Sequence, residues 1–332
     1  MKKRMVSGIK PTGSSLTLGN YLGAIKRFVK YQDEYDLYLF IADLHALTLP
    51  IDPNELRENT KNLLATYLAA GLDYHKCVIF KQSEIPEHTQ LEWILTCNTD
   101  LPDLTKMPQY KNYKDTHKKQ SVPSGMLMYP SLMNADILLY ASDTECIVPV
   151  GLDQKPHVDL TRFVAENFNK RYPNTFTLPV PLIAEQGAKI MSLSDPTKKM
   201  SKSESDIGTI YLSDDEETIY KKIKKATTDG EGKIYYDPEN KPGISNLLTI
   251  YACIKNISIE DAEKQFTKQK DYGIFKKEVA KVVCDEIIPL QNRIKQINQR
   301  FILNEILEEG RQKAELIATN KLNEVYRKVG LK

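Results

Sequence analysis

Apolar residues in this chain follow two regimes. Up to about residue 205, short continuous apolar runs alternate with longer segments of helical period; beyond it only the helical period remains. The runs at 5–9, 37–42, 77–80 and 147–151 are too short for helices and rich in Val, Ile, Leu and aromatic residues, so each reads as a strand buried on both faces. Pro149 is an odd residue for such a strand. Leu22, Ile25, Phe28 and Val29 recur at helical spacing after Gly19, and further helices are expected over 53–70 and 86–97. The first of these carries its own punctuation, with Asp52 as N-cap, Pro53 at the first helical position and Gly71 as the stop. Residues 107–124 are polar and hold Lys111, Lys114, Lys118 and Lys119, which reads as a solvated loop. A helix is then expected over about 124–140 and another from Pro156, and 178–183 leads through 190–193 into a basic loop.

Strands alternating with helices predict an α/β fold with a doubly wound parallel sheet. In such sheets ligands gather at the carboxyl ends of the strands, here residues 8–12, 43–45 and 82–83. After residue 206 the expected elements are a lysine-rich helix within 213–227, a loop over 237–243, and helices at about 245–256, 259–270, 273–300 and 304–328. The expected division is a Rossmann-like α/β domain over 1–205 followed by a helical domain over 206–332.

Composition narrows the function classes. The chain has 332 residues and a formal net charge of +2, so contact with a polyanion must come from local patches. Its five cysteines, at 77, 97, 146, 253 and 284, include no close pair, which argues against a zinc or iron–sulfur site and a disulfide framework. No metal-ligand cluster is expected. The N-terminal lysines are not followed by a signal-like apolar run, and no stretch of about twenty apolar residues could span a bilayer. A cytoplasmic setting with no membrane contact is expected.

Three places could carry chemistry. A strand, a Gly/Ser/Thr loop and a helix start follow one another from Ser7 to Asn20; free backbone N–H groups and the helix dipole there could meet an anion, although the spacing is neither GxGxxG nor a P-loop. Tyr129, Leu132, Asp136 and Leu139 share one face of the 124–140 helix, which puts Asp136 in an apolar stripe. A buried carboxylate there is either satisfied by a backbone cap or hydroxyl, or waits for a donor on a ligand. The third place is Lys198-Lys199-Met200-Ser201-Lys202-Ser203, where crowded ammonium groups are tolerable in water or around a polyphosphate.

These residues carry a resemblance. Residues 7–13 followed by Thr17-Leu18-Gly19-Asn20 resemble the first signature of class I aminoacyl-tRNA synthetases, in the form common among bacterial tryptophanyl-tRNA synthetases. Lys199-Met200-Ser201-Lys202-Ser203 matches the second signature in full. Residues 129–140 resemble that family's tryptophan-pocket helix, and Gly151-Leu152-Asp153-Gln154 with 157–162 its nucleotide-side motif. Departures are Lys10 where glutamine is frequent, Leu152 where glutamate is common, Phe163 where aspartate is common, and a small insertion at Thr144-Glu145-Cys146.

The resemblance implies ATP-dependent activation of L-tryptophan followed by transfer to tRNA(Trp), with Mg2+ carried on ATP. It implies catalytic roles for Lys199, Lys202 and Lys111. ATP contacts would come from Lys10, Pro11, Thr12, Gly19, Asn20, Gly151, Leu152, Asp153, Ile190, Lys199, Met200, Ser201, Lys202 and Ser203. Tryptophan contacts would come from Asp136, Met133, Tyr129, His45, Val148, Val150, Gln154, Ser7 and Gly8. For Met133, Val148 and Val150 a plain core role is the alternative, and Val6 is read as core. The helical part would bind the tRNA anticodon, and the family is usually homodimeric. A tyrosine-specific member of the class, and a non-catalytic RNA-binding relative, stay open.

Overall fold

Five short apolar runs pair into one fully parallel sheet. In the computed structural model, which describes residues 2–13, 15–116, 121–141, 145–183, 189–201, 206–300 and 302–332, the strands are β1 (Arg4–Ile9), β2 (Asp36–Ile41), β3 (Cys77–Lys81), β4 (Cys146–Val150) and β5 (Val180–Ile183). Their order across the sheet is β3-β2-β1-β4-β5. The chain steps outward from β1 to β3, then returns to the other side of β1. The switch point therefore lies between β1 and β4, where Arg4 and Met5 pair with Cys146 and Ile147. Pro149, in register with Leu182 of β5, lies beyond the end of the β1 pairing at Ile147, so it is not flanked by a paired strand on both sides.

The helices take up the expected places. After the first strand come α1 (Leu18–Asn20), a π-helical turn (Tyr21–Ile25) and α2 (Lys26–Glu34); α3 (Asp43–Ala46) and α4 (Pro53–Ala70) follow β2. Asp52 caps α4 by accepting from the N–H groups of Asn54 and Glu55, and Gly71 ends it at φ 108°, a left-handed conformation that suits glycine. Then come a 3-10 turn (Gln82–Glu84), α5 (Glu87–Thr96), α6 (Leu101–Thr105), α7 (Pro108–Thr116), α8 (Ser124–Leu138) and α9 (Lys155–Arg171). The helical part supplies α10 (Glu216–Lys224), α11 (Pro242–Lys255), α12 (Ile259–Phe266), α13 (Tyr272–Asn298) and α14 (Ile302–Val329).

One expectation is corrected. Much of the polar stretch read as a solvated loop is helical, as α7. This helix buries no residue and so leaves no apolar stripe to read. Lys118 and Lys119 lie outside the described residues.

Both faces of the sheet are covered, as a parallel sheet requires. Met5, Leu37, Leu39, Ile41 and Ile79 join a core built with α4, α10, α11 and α13. Val6, Tyr38, Phe40, Val78 and Phe80 point the other way, into a core with α5, α8 and α9. The last helix belongs to both. Leu303, Ile306 and Leu307 enter the first core, and Ala314, Ala318, Leu322 and Val325 the second. Between them, α14 crosses the edge strand β3 so closely that a Cβ at Gly310 would stand 1.8 Å from the Ile79 carbonyl oxygen. It thereby covers an edge that would otherwise offer free backbone groups.

Candidate active site

At the switch point a cleft of about 480 Å³ opens between the ends of β1 and β4. Its walls come from Ser7, Gly8 and Lys10 after β1, Val148, Val150 and Gly151 at the end of β4, and Tyr129, Met133 and Asp136 from α8. Gly8 sits in register with Phe40 on β2. A Cβ at Gly8 would meet that ring at 2.4 Å, so the bare backbone keeps this wall open.

The floor is a polar network in an apolar shell. Asp136 has no exposed surface. Its Oδ1 accepts from Gln82 Nε2 at 2.7 Å and lies 2.6 Å from His88 Nδ1; its Oδ2 lies 2.7 Å from His45 Nε2. His88 Nε2 is in turn 2.9 Å from the Tyr140 hydroxyl. Burial pushes the Asp136 carboxyl up, but the His45 and His88 rings outweigh it and hold the pKa at about 2. The carboxylate is thus satisfied by histidine and glutamine side chains rather than by a cap or hydroxyl. His45 Nδ1 is buried without a hydrogen-bond partner, and the ring stands edge-on to Tyr129.

One wall is basic. The Lys10 ammonium stands 5.1 Å from the centre of the Tyr129 ring, and loss of surrounding water lowers its pKa. The Tyr129 hydroxyl is 3.0 Å from Nε2 of the buried His157, whose pKa burial lowers to about 4. At the opposite side Lys199 lies 3.6 Å from Asp153. The cleft walls raise the Asp153 carboxyl, and Lys199 and Gln154 more than offset that, leaving it below the usual carboxylate range.

Helix α1 starts with a reciprocal cap. Thr17 Oγ1 accepts from the Asn20 N–H at 3.1 Å, and Asn20 Oδ1 accepts from the Thr17 N–H at 3.3 Å. The Asn20 carboxamide, fixed by this exchange, lines the cleft with Gly19. The basic loop is rooted beside it: the Met200 N–H donates to the Ile190 carbonyl at 3.0 Å, and both side chains are buried.

This arrangement has known counterparts. The family model for tRNA synthetases class I (W and Y) matches residues 1–287. A tryptophan--tRNA ligase of Halalkalibacterium halodurans is 49% identical over 332 residues, covering 100% of this chain and 98% of that protein. The chain belongs to the class I tRNA synthetases, in their bacterial tryptophanyl branch. The synthetase of Bacillus subtilis is 47% identical over 100% of this chain and 98% of its own. Among solved structures, tryptophanyl-tRNA synthetase from Mycoplasma pneumoniae superposes with a TM-score of 0.93 at 34% identity, over 100% and 99% of the two chains. The Campylobacter jejuni enzyme, complexed with ADP and tryptophan, does so at 0.80 and 33%, over 98% and 99%.

In this synthetase the cleft collects Ser7, Gly8, Lys10, Gly19, Asn20, His45, Tyr129, Met133, Asp136, Val148, Val150, Gly151, Asp153, Gln154, Ile190 and Lys199. Val6, read as core, is buried and also lines it. Pro11 and Thr12 instead line a second hollow, against Asn62 of α4 and Lys295 of α13. Leu152 is 74% exposed and does not line the cleft. Lys111 is exposed on α7, and Gln109 of the same helix is the residue that reaches the cleft. Ser201 is half-buried, and its carbonyl accepts from Thr209 Oγ1 at 2.9 Å. Lys202 and Ser203 lie outside the described residues.

Sequence reasoning placed Gln82 at a strand end where ligands gather but gave it no role, and it missed His88, Arg27 and Gln109. The first two sit at and beyond the end of β3 and meet Asp136 only through the sheet. A polar residue at a strand's carboxyl end was their one local signal.

Proposed function

We propose that this synthetase joins L-tryptophan to ATP in the cleft and passes the tryptophanyl group to tRNA(Trp). The observation that carries the reading is the buried, ionised Asp136 at the floor of a cleft at the sheet's switch point. The indole N–H is a donor only, and a fixed carboxylate is the acceptor that suits it. Met133, Val148 and Val150 would form the apolar walls around the ring, with Val6 behind them. Tyr129, Gln154, His45, Ser7 and Gly8 would meet the amino-acid end.

The substrate carboxylate attacks the α-phosphorus of ATP, the bond to the bridging oxygen breaks, and pyrophosphate leaves. The ribose hydroxyl at the tRNA 3′ end then attacks the acyl carbon, and AMP leaves. Since the substrate supplies its own nucleophile, the chain needs only to position and to stabilise charge. Lys199, with Lys202 from the same signature, would meet the pyrophosphate, with Lys111 as a third group. Lys10, Gly19, Asn20, Gly151, Asp153, Ile190, Met200, Ser201 and Ser203 would hold the nucleotide; Pro11, Thr12 and Leu152, expected from the sequence to join them, do not line the cleft. Mg2+ would arrive with ATP.

Residues 1–205 would carry activation and 206–332 the anticodon contact, where lysines on α10 to α13 could meet phosphates. A homodimer fits the exposed Trp93 on α5 and Leu101 on α6, since both helices pack on α8. No helix among the described residues is long and apolar enough to cross a membrane, and we place the enzyme in the cytoplasm. Exchange of labelled pyrophosphate into ATP tests the activity. Exchange with tryptophan but not tyrosine or phenylalanine is expected; exchange with tyrosine instead would keep the class and overturn the substrate.

A further inference from the structure

A fully buried carboxylate works as an acceptor only if its charge and its orientation are both held. Five groups, drawn from each element around it, face Asp136 or feel its charge. They are His45 of α3, Gln82 of the turn after β3, His88 and Glu92 of α5, and Tyr140 just past the end of α8. Burial and the Asp136 charge together raise the Glu92 carboxyl.

The proton positions follow from valence. An ionised carboxylate only accepts. His88 must therefore carry its hydrogen on Nδ1, 2.6 Å from Asp136 Oδ1. In a neutral ring His88 Nε2 is then a lone pair, and the Tyr140 hydroxyl at 2.9 Å is the group that fills it. Tyr140 is fully buried and keeps its proton, because burial raises the phenol well above its ordinary pKa. The order is O–H to Nε2, then Nδ1–H to Oδ1. The ring is thereby satisfied at both ends. The other tautomer would set a nitrogen lone pair against the carboxylate.

This chain of donors decides which part of Asp136 remains open. Oδ1 receives two protein donors, Gln82 and His88, and Oδ2 receives one, His45. Each carboxylate oxygen accepts about two hydrogen bonds. The unfilled position is therefore on Oδ2, beside His45, which itself lines the cleft. Neither His88 nor Tyr140 lines the cleft, so neither can touch a substrate there.

We propose that the His88–Tyr140 pair is a positioning device for tryptophan recognition: it fixes Asp136 as an ionised acceptor with its one open position, on Oδ2, presented to the indole N–H. The inference rests on the reading of Asp136 as the indole acceptor. It predicts that residues shielded from the substrate set the enzyme's demand for an N–H group. A merely structural pair would affect all substrates alike.

The test compares tryptophan with benzothienylalanine, in which sulfur replaces the indole N–H, in pyrophosphate exchange by wild type, His88→Phe, His88→Asn and Tyr140→Phe. Wild type should prefer tryptophan by about 10²-fold or more. His88→Phe keeps the bulk and loses the donor. Its preference should fall by about tenfold or more through KM for tryptophan, with KM for ATP unchanged. His88→Asn can place an amide N–H where Nδ1–H stood and should recover most of the loss. Tyr140→Phe should fall between.

A folded His88→Phe or Tyr140→Phe with wild-type preference would overturn the inference. So would a parallel rise in both KM values with no recovery in His88→Asn. If His88→Phe does not fold, Tyr140→Phe decides alone. If wild type itself shows no preference for tryptophan, the reading of Asp136 fails first, and that outcome is distinct from the others.

Discussion

Met200 packs beside Gly19: a Cβ at position 19 would stand 3.7 Å from the Met200 Cβ. The two nucleotide signatures, far apart in the chain, therefore share one contact. Met200 is buried while Lys199 next to it is exposed to the cleft. The buried anchor and the lysine proposed for the chemistry are thus neighbouring residues, and they should fail differently. Met200→Ala should cost about 2–5 kcal/mol of stability, read as a lower urea midpoint. Lys199→Ala and Lys202→Ala should leave that midpoint in place and slow adenylate formation by about 10²-fold or more. A near-wild-type rate in Lys202→Ala would remove it from catalysis.

Asp136→Ala leaves two histidines and a glutamine facing a hole. The expected result is loss of tryptophan-dependent exchange with ATP binding retained. The preference for tryptophan over phenylalanine should collapse from roughly 10⁴-fold toward the value set by pocket shape alone. Exchange kinetics with both amino acids check this.

His157 gives the fold a pH dependence. Burial lowers its pKa to about 4 from an ordinary 6.5. Between those values the unfolded chain binds a proton that the folded chain does not, so stability rises with pH across the window and is lost as pH falls through it. The full effect is roughly 3 kcal/mol. Urea midpoints at pH 7 and pH 5 should differ, and His157→Gln should remove part of the difference. Asp136 acts only below this window, since its carboxyl is held near 2.

Gly310 has no room for a side chain. A Cβ there would lie 1.8 Å from the Ile79 carbonyl oxygen, which is backbone and cannot turn aside. Gly310→Ala should push α14 off β3 and cost about 1–3 kcal/mol or more. Faster amide exchange in β3 and α14 than elsewhere would locate the damage.

The parts of the fold that were legible are those whose signal is local. Helix α4 carries its cap, its first-turn proline and its closing glycine within its own sequence, and the strands announce themselves as apolar runs bounded by turn residues. Helix α7 gave nothing to read, because a helix that buries no residue has no stripe. Asp136 stood out as a charge in an apolar face, but its partners His45, Gln82 and His88 come from three other segments brought together by strand order. Nothing within any one segment marks that meeting. The path of α14 was not read from the sequence, although Gly310, Ala314 and Ala318 recur every fourth residue, the spacing that lets a helix lie close against backbone. A stripe of small residues names a close neighbour without saying which.

Division of labour along the chain and division of the folded mass do not coincide. Met200, Leu37 and Ile79 belong to the same buried cluster as Ile244 of α11 and Val283 of α13. A chain cut after residue 205 would not shed an appendage. It would uncover the inner side of α4 and one whole face of the sheet to water, and the fragment that carries the cleft should precipitate.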